Sequence, residues 1–268
     1  MKRVQLFEFE DQQWFPNSMR IALTKLIVVL HKMIGLGDVM TKLISDALKK
    51  SEKNQVVDLG SGAGGPMPEV MGKLAKSQEF GNVRMILTDL FPNKEAITTI
   101  ERLGNTKLSF QKKPVDATHL EKAPEGLKTM INSFHHMNPT QAKQILHSAY
   151  KSKQPILIYE MAENKIPLLI WWLMLPLSFI VMIIMVLFMT PFVRPMTFKQ
   201  IFFTYIIPVI PLFYAWDGQA SMPRIYTLKD VDELLEGLSD DSYIWEKGPA
   251  KKENGKSLGY YLFGMPTK

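Results

Sequence analysis

The stretch Val57-Asp58-Leu59-Gly60-Ser61-Gly62-Ala63-Gly64-Gly65 combines the residue types that a nucleotide-like ligand needs. Glycines let the chain turn sharply after a strand, and they let a ligand reach main-chain N–H groups at a helix start with no Cβ in the way. Further on, Asp89 falls at the end of a second strand, where a carboxylate can accept hydrogen bonds from both hydroxyls of a ribose. The two in this order point to an adenosine-type cofactor rather than an empty turn. A third group, Ile131-Asn132-Ser133-Phe134-His135-His136, puts two imidazoles at the end of a fourth strand. Imidazole titrates near neutrality, so His135 and His136 are candidate general bases; the alternative is that one of them packs or caps the helix that follows. Neighbouring side chains on an extended strand end face opposite ways, so one at most is expected in a pocket, and His135 is favoured. Glu160 and Glu163 at a fifth strand end, and Trp216, Asp217 and Arg224, are further pocket candidates, with a plain turn as the alternative for Asp217-Gly218. His31, His119 and His147 read as structural or surface residues.

Gly60, Gly62 and Gly65 also satisfy the dinucleotide pattern G-x-G-x-x-G, which makes a nicotinamide cofactor the rival. Three features oppose it. Asp58 would sit badly near a pyrophosphate but well near a cationic ligand. Pro66 removes an amide donor where a phosphate would want one. The chain also ends in two strands that read as an antiparallel pair, not as the further parallel strands of a doubly wound fold.

These residues need a scaffold, and the pattern supplies one. Short apolar runs at 55–59, 84–89, 107–111, 128–132 and 155–160 read as strands, with helices near 67–78, 93–103 and 139–151, the alternation of a parallel sheet. Residues 17–50 carry apolar positions at helical spacing, with Asn17 as N-cap and Gly35-Leu36-Gly37-Asp38 dividing two helices. That layer either packs on a core or rests as a basic surface on anionic lipid. Thr227 to Leu238 reads as a helix, and 242–246 and 258–263 as the closing strand pair.

At 268 residues, 46% hydrophobic and 22% charged, the chain is neither disordered nor polytopic in composition. It has no cysteine, which excludes disulfides, thiolate nucleophiles and Cys-ligated metals; no metal site is expected. The net charge of +6 suggests an anionic partner, a phospholipid surface or a nucleic acid. The lysines are dispersed and not interleaved with aromatics on one face, which disfavours nucleic acid. The start, Met1-Lys2-Arg3 followed by Glu8, Glu10 and Asp11, lacks the apolar core of a secretion signal, so the N-terminus is expected in the cytoplasm.

The ordered set resembles the class I S-adenosylmethionine-dependent methyltransferases over roughly residues 50–160 and 225–265. Asp58, Gly60, Ser61, Gly62 and Gly64 are similar to that family's first motif. Asp89 and Leu90, in Thr88-Asp89-Leu90, match its ribose position, and Asp116 and Ala117, in Pro114-Val115-Asp116-Ala117, its adenine position. Asn132 and Ser133, with the histidines after them, fall where the family lines its methyl-transfer pocket. The resemblance implies an α/β Rossmann-like fold with a seven-stranded sheet and antiparallel last strand, S-adenosylmethionine as cofactor, and methyl transfer as the activity. The Phe-Glu-Phe-Glu-Asp opening, Trp216-Asp217-Gly218 and a long apolar insertion depart from the family pattern and resemble a bacterial methyltransferase-like subgroup. No Asn-Pro-Pro-Tyr motif follows the fourth strand, which lowers the case for methylating nucleic acid.

The insertion is the other strong signal. Ile166 to Thr190 is a run of 25 residues without charge, 21 of them apolar, longer than the roughly 20 needed to cross a bilayer as a helix. A second run, Ile201 to Trp216, contains Pro208 and Pro211. A true crossing would carry Arg194 and Lys199 to the far side, against the charge bias of short loops. The expectation is therefore a monotopic, partly inserted hairpin at the cytoplasmic face of a membrane, with Trp171 and Trp172 near the interface. A hydrophobic lid or a dimer interface is the alternative. This yields four regions: a helical layer or lid at 1–50, the cofactor-binding core at 51–165, the membrane-associating insertion at 166–216, and a closing helix and strand pair at 217–268. The acceptor inferred from this layout is small and lipophilic.

Overall fold

The computed structural model describes residues 1 and 3–267; Lys2, part of the charged start, and Lys268 lie outside the described residues. Helices α1 (Asn17–Met33) and α2 (Leu36–Ser51) lead into β1 (Gln55–Asp58). There follow α3 (Met67–Leu74), β2 (Arg84–Leu87), α4 (Lys94–Arg102), β3 (Leu108–Phe110), β4 (Leu127–Ile131), α5 (Pro139–Ser152) and β5 (Ile156–Glu160). The chain continues through α6 (Leu168–Met189), α7 (Phe198–Ile201), α8 (Val209–Arg224) and α9 (Leu228–Leu235) to β6 (Tyr243–Lys251) and β7 (Ser257–Pro266). Two compact units result, one of Met1, Gly35–Glu163 and Leu228–Lys268, the other of Lys2–Ile34 and Asn164–Thr227. This division differs from the expected boundaries at 50/51 and 216/217. Each amphipathic helix follows its own apolar stripe: α2 packs on α3 and the sheet, whereas α1 buries Leu23, Leu26 and Val29 with Val186, Met189 and Ile210.

The first unit is built on a seven-stranded sheet of order β3-β2-β1-β4-β5-β7-β6. β1 to β5 are parallel, with Val57 beside Ile86 and Lys128, and Met130 beside Ile158. Strands covered on both faces read as continuous apolar runs, which is why Val56-Val57 and Ile156-Leu157-Ile158 were visible in the sequence. β7 runs antiparallel between β5 and β6, pairing Ile158 with Leu262. Both closing strands are longer than expected. Pro249 lies inside β6 opposite Tyr260, which is tolerated because β6 is the sheet edge and needs no amide on its outer side. Gly259 permits the close approach of β7 to β5: a Cβ there would lie 2.0 Å from the Glu160 carbonyl oxygen. The strand order reverses between β1 and β4, the point at which ligands gather beyond the carboxyl ends of an open parallel sheet.

Local signals mostly place the elements correctly. Asn138 and Gln141 form a capping box on α5, with Pro139 in its first turn. Asn93 caps α4 through the Glu95 amide at 2.8 Å. Asn17, by contrast, is the first residue of α1 and not its cap; Pro16 holds the cap position. Gly37 and Asp38, expected in the break before α2, lie within that helix.

In the second unit α6 extends for 22 residues without a charge. Within the span Leu168–Phe192 the mean hydropathy reaches 2.6, with little of it buried. The second apolar run bends by 82° between Phe198–Ile206 and Val209–Arg224. Pro208 sits at the bend and Pro211 in the first turn of α8, where no intrahelical acceptor awaits its missing N–H. Trp216, Asp217 and Gly218 are inside α8, so the plain turn is not found. Asp217 accepts from the Phe9 amide at 2.7 Å and the Glu10 amide at 3.1 Å, and Trp216 Nε1 donates to the Phe7 carbonyl at 3.0 Å. Arg224 Nη1 lies 2.9 Å from Glu8 Oε1 and 2.7 Å from Asp11 Oδ2. The acidic opening is thus an N-terminal strap bound along α8. Phe15 enters the core of this unit with Val186 and Phe213, while Trp14 stays exposed.

Candidate active site

The glycine turn is held from three sides. The Leu59 amide donates to the Thr129 carbonyl at 2.8 Å and the Ser61 amide to the Thr88 carbonyl at 2.9 Å, fixing the turn to β4 and to the end of β2. Gly60, Gly62, Gly64 and Gly65 all have positive φ, from 46° to 95°, a region costly for any residue with a Cβ. At Gly64 a Cβ would also press on Leu87 and Ile100, at 3.3 and 3.4 Å.

Asp58 lies buried under this turn. Its carboxylate accepts from Ser61 Oγ at 2.6 Å and from Thr129 Oγ1 at 2.7 Å. The carboxyl is raised to about 7, chiefly by burial and further by the nearby charge of Asp89, against the opposing pull of the Ser61 and Thr129 hydroxyls. A cation brought here would favour the ionised form.

Asp89 organises three segments. Its Oδ2 accepts from the Gly62 amide at 2.9 Å and its Oδ1 from the Phe91 amide at 2.8 Å. Its carbonyl accepts from the Val115 amide at 2.9 Å, tethering the loop that carries Asp116 and Ala117. Each carboxylate oxygen retains accepting capacity for a further donor. Leu90 beside it is exposed. Asp116 is on the surface, where its carboxylate accepts from the Thr118 amide and hydroxyl at 2.9 and 2.7 Å and lies 3.4 Å from His119 Nδ1. Burial there raises the carboxyl, but the Thr118 and His119 interactions outweigh it and leave it low.

At the end of β4 the chain does not stay extended, and this changes the reading of the histidines. Phe134–His136 is a 3₁₀ turn, so the two imidazoles lie side by side, 4.3 Å apart at 33°; they do not face opposite ways. His135 is buried, and its Nδ1 is 2.8 Å from Glu160 Oε2 while its amide donates to Glu160 Oε1 at 3.0 Å. Glu160, also buried, therefore fixes both the backbone and the ring of His135. With Nδ1–H directed at the carboxylate, Nε2 is the basic nitrogen. Asn132 has φ of 52°, which Asn tolerates better than most residues. Its Oδ1 accepts from the Met161 amide at 2.8 Å, so its side chain ties β4 to the end of β5. Ser133 Oγ donates to the Leu59 carbonyl at 3.4 Å, a long bond to the glycine turn.

The structure thus gathers Asp58, the glycine turn, Asp89, Ser133, His135 and Glu160 at the carboxyl ends of the parallel strands and leaves the Asp116 side chain engaged with its own turn. Sequence reasoning missed Thr88 and Thr129. Both are buried, and Thr88 Oγ1 donates to the Asp58 carbonyl at 2.8 Å. A threonine inside the apolar run of β4 and another directly after β2 were the available signal.

The decisive pattern is the sheet order with β7 antiparallel between β5 and β6, joined to a glycine turn after β1 and an acid after β2. The fold is that of the class I methyltransferases. A doubly wound dinucleotide fold would continue in parallel, so the nicotinamide rival does not fit this sheet. No protein-family model matches the sequence, and no curated protein matches it. Solved structures with a related methyltransferase fold include the plantazolicin methyltransferase BamL, in complex with a triazolic desmethylPZN analog and SAH. It is 10% identical over 93% of this chain and 98% of that one, with a TM-score of 0.48. The methyltransferase domain of bacterial CtHen1 is 12% identical over 87% of this chain and 100% of that one, TM-score 0.48. Human N-acetylserotonin methyltransferase, in complex with SAM, is 15% identical over 89% of this chain, TM-score 0.45. The chain spans 55% of the length of that protein and 51% of the pyocyanin biosynthetic protein PhzM.

Proposed function

We propose that this chain is a methyltransferase that uses S-adenosylmethionine and delivers the methyl group to a small lipophilic acceptor at the cytoplasmic face of a membrane. The single observation that carries the reading is the Asp89 carboxylate bonded to the Gly62 amide beside the buried Asp58. The residues suit the cofactor: a turn without Cβ atoms for close approach, an acid with accepting capacity for ribose hydroxyls, and a buried carboxyl that a cation would ionise. The bound cofactor would supply an electrophilic methyl on a sulfonium.

The protein's share is to hold the acceptor in line, exclude water and take a proton. His135 Nε2 accepts the proton of the acceptor's nucleophilic atom. Glu160 keeps the imidazole in the matching tautomer and stabilises the imidazolium that forms, the logic of an oriented general base. The lipophilic acceptor is argued from the chain path: β5, which carries Glu160, runs within seven residues into α6, and α6 is apolar and exposed. The cytoplasmic side agrees with a chain that has no cysteine.

Calorimetry with S-adenosylmethionine, S-adenosylhomocysteine and NADH tests the cofactor. Binding of the first two and not the third is expected, and tight binding of NADH alone overturns the reading. Incubation of methyl-labelled cofactor with a lipid extract tests the acceptor, with label expected in the organic phase. Label confined to water-soluble products would overturn the lipophilic acceptor.

A further inference from the structure

From Asn164 to Trp216 the chain contains no Asp, Glu or His, and its only charges are Lys165, Arg194 and Lys199. We infer that the connection between α6 and α7, together with Lys25 of α1, is a contact for the headgroups of anionic phospholipid. This rests on the membrane reading above and adds the charge of the lipid it selects.

The cations are gathered on one loop. Arg194 Nη1 donates to the carbonyls of Pro191 and Val193, both at 2.8 Å, and Lys25 Nζ donates to the Pro195 carbonyl at 3.2 Å. Lys199 is exposed, and its ammonium has no partner among the described residues. Phe192 and Phe198 stand on either side of Arg194, 65% and 78% exposed, and Phe198 stacks on Phe202 at 5.8 Å. The loop continues a line of exposed apolar side chains that runs along α6 through Leu169, Leu173, Leu177, Val181, Ile184 and Phe188.

Apolar anchors next to exposed cations, with no acid among them, fit an interface where hydrocarbon meets negative charge. A neutral bilayer would cover the stripe and leave the cations without a counter-charge. A second copy of this chain would bring the same positive loop and no acid from this segment to balance it. An acidic peptide would pair with the cations and leave most of the stripe in water. An anionic bilayer satisfies both features.

The test is co-sedimentation of the full chain with phosphatidylcholine vesicles, with and without a phosphatidylglycerol fraction, at low and high salt. Binding to the anionic vesicles is expected to be stronger by on the order of tenfold at low salt, and the advantage should shrink as salt rises. Lys199→Glu, at a site with no structural bond to lose, should weaken anionic binding by at least about fivefold, since it removes a cation worth roughly 1 kcal/mol and adds an anion. Arg194→Glu combined with it should abolish the preference. Equal affinity for both vesicles, or a Lys199→Glu variant that keeps the preference, overturns the inference. So does a chain that stays off all vesicles and self-associates instead. Titration with S-adenosylmethionine is run in parallel: intact cofactor binding without lipid selectivity sinks this inference and leaves the methyltransferase reading standing.

Discussion

Asp89 Oδ2 holds the Gly62 amide at 2.9 Å, so the acid at the end of one strand fixes the turn at the end of its neighbour. Asp89→Ala removes this bond and the acceptors offered to a ribose together. Charge-assisted hydrogen bonds are worth about 1.5–3 kcal/mol each, so cofactor affinity should fall by roughly 10- to 100-fold in calorimetry. An unchanged dissociation constant would show that Asp89 serves only the turn.

Asp58 makes binding and stability depend on pH in opposite senses. Its carboxyl stays protonated up to about 7 in the folded protein, whereas an unfolded chain loses that proton near 3.9. Folding therefore takes up a proton between these values, and stability falls as pH rises from about 4 to about 7. A cationic cofactor favours the carboxylate, so its binding should release a proton near neutrality and weaken as pH drops below about 7. Calorimetry in buffers of different ionisation enthalpy reads the release directly. Asp58→Asn should raise the melting temperature at pH 8 and weaken the cofactor; a variant that melts lower and binds normally would contradict both halves.

The His135–Glu160 pair predicts graded losses of turnover. His135→Ala should lower kcat by about 10²- to 10⁴-fold, the usual worth of a general base, with little change in KM for the cofactor. Glu160→Gln should give a smaller loss, since the ring keeps its place but loses the carboxylate. His136→Ala, which leaves the His135–Glu160 bond in place, should cost less than either. Equal losses for the two histidines would assign the base elsewhere.

How much of this was legible in the sequence follows from the range of the interactions. Buried parallel strands and glycine turns are local, and β1 to β5 and the turn at 60–65 were readable, whereas the cap at Asn138 was not read and the one expected at Asn17 lies inside α1. The seven-stranded order followed from the resemblance, and the structure bears it out. What failed to show was set by distant partners. The 3₁₀ turn that places His135 against Glu160 is fixed by a residue on another strand. The strap at Phe7–Asp11 finds Asp217 and Arg224 more than 200 positions away. Asn132 was given a pocket position by the resemblance; its bond from the Met161 amide, which ties β4 to the end of β5, was not readable.

Thr204 tests the interior of the second unit. It lies in the π turn Phe202–Ile206, fully buried, and its hydroxyl has no partner among the described residues. A buried polar group left without a bond costs about 1–3 kcal/mol. Thr204→Val keeps the shape and removes the hydroxyl, so it should stabilise the protein by about 1 kcal/mol in denaturant unfolding. A lower midpoint would reveal a bond to that oxygen.

Asp217 is buried and accepts both the Phe9 and Glu10 amides, an anchor at the N-terminus of the short helical turn Phe9–Asp11. Asp217→Ala leaves those two donors without their acceptor, at a cost of about 1–3 kcal/mol. Strap opening should therefore rise by roughly tenfold or more, read as faster amide exchange at Phe9 and Glu10 and as faster proteolysis near residue 12. Arg224→Met should loosen the same segment by removing the guanidinium that Glu8 and Asp11 share. Exchange at Phe9 that does not change in Asp217→Ala would mean that the aromatic contacts of Phe9 with Phe213 and Phe15, not the carboxylate, hold the strap down.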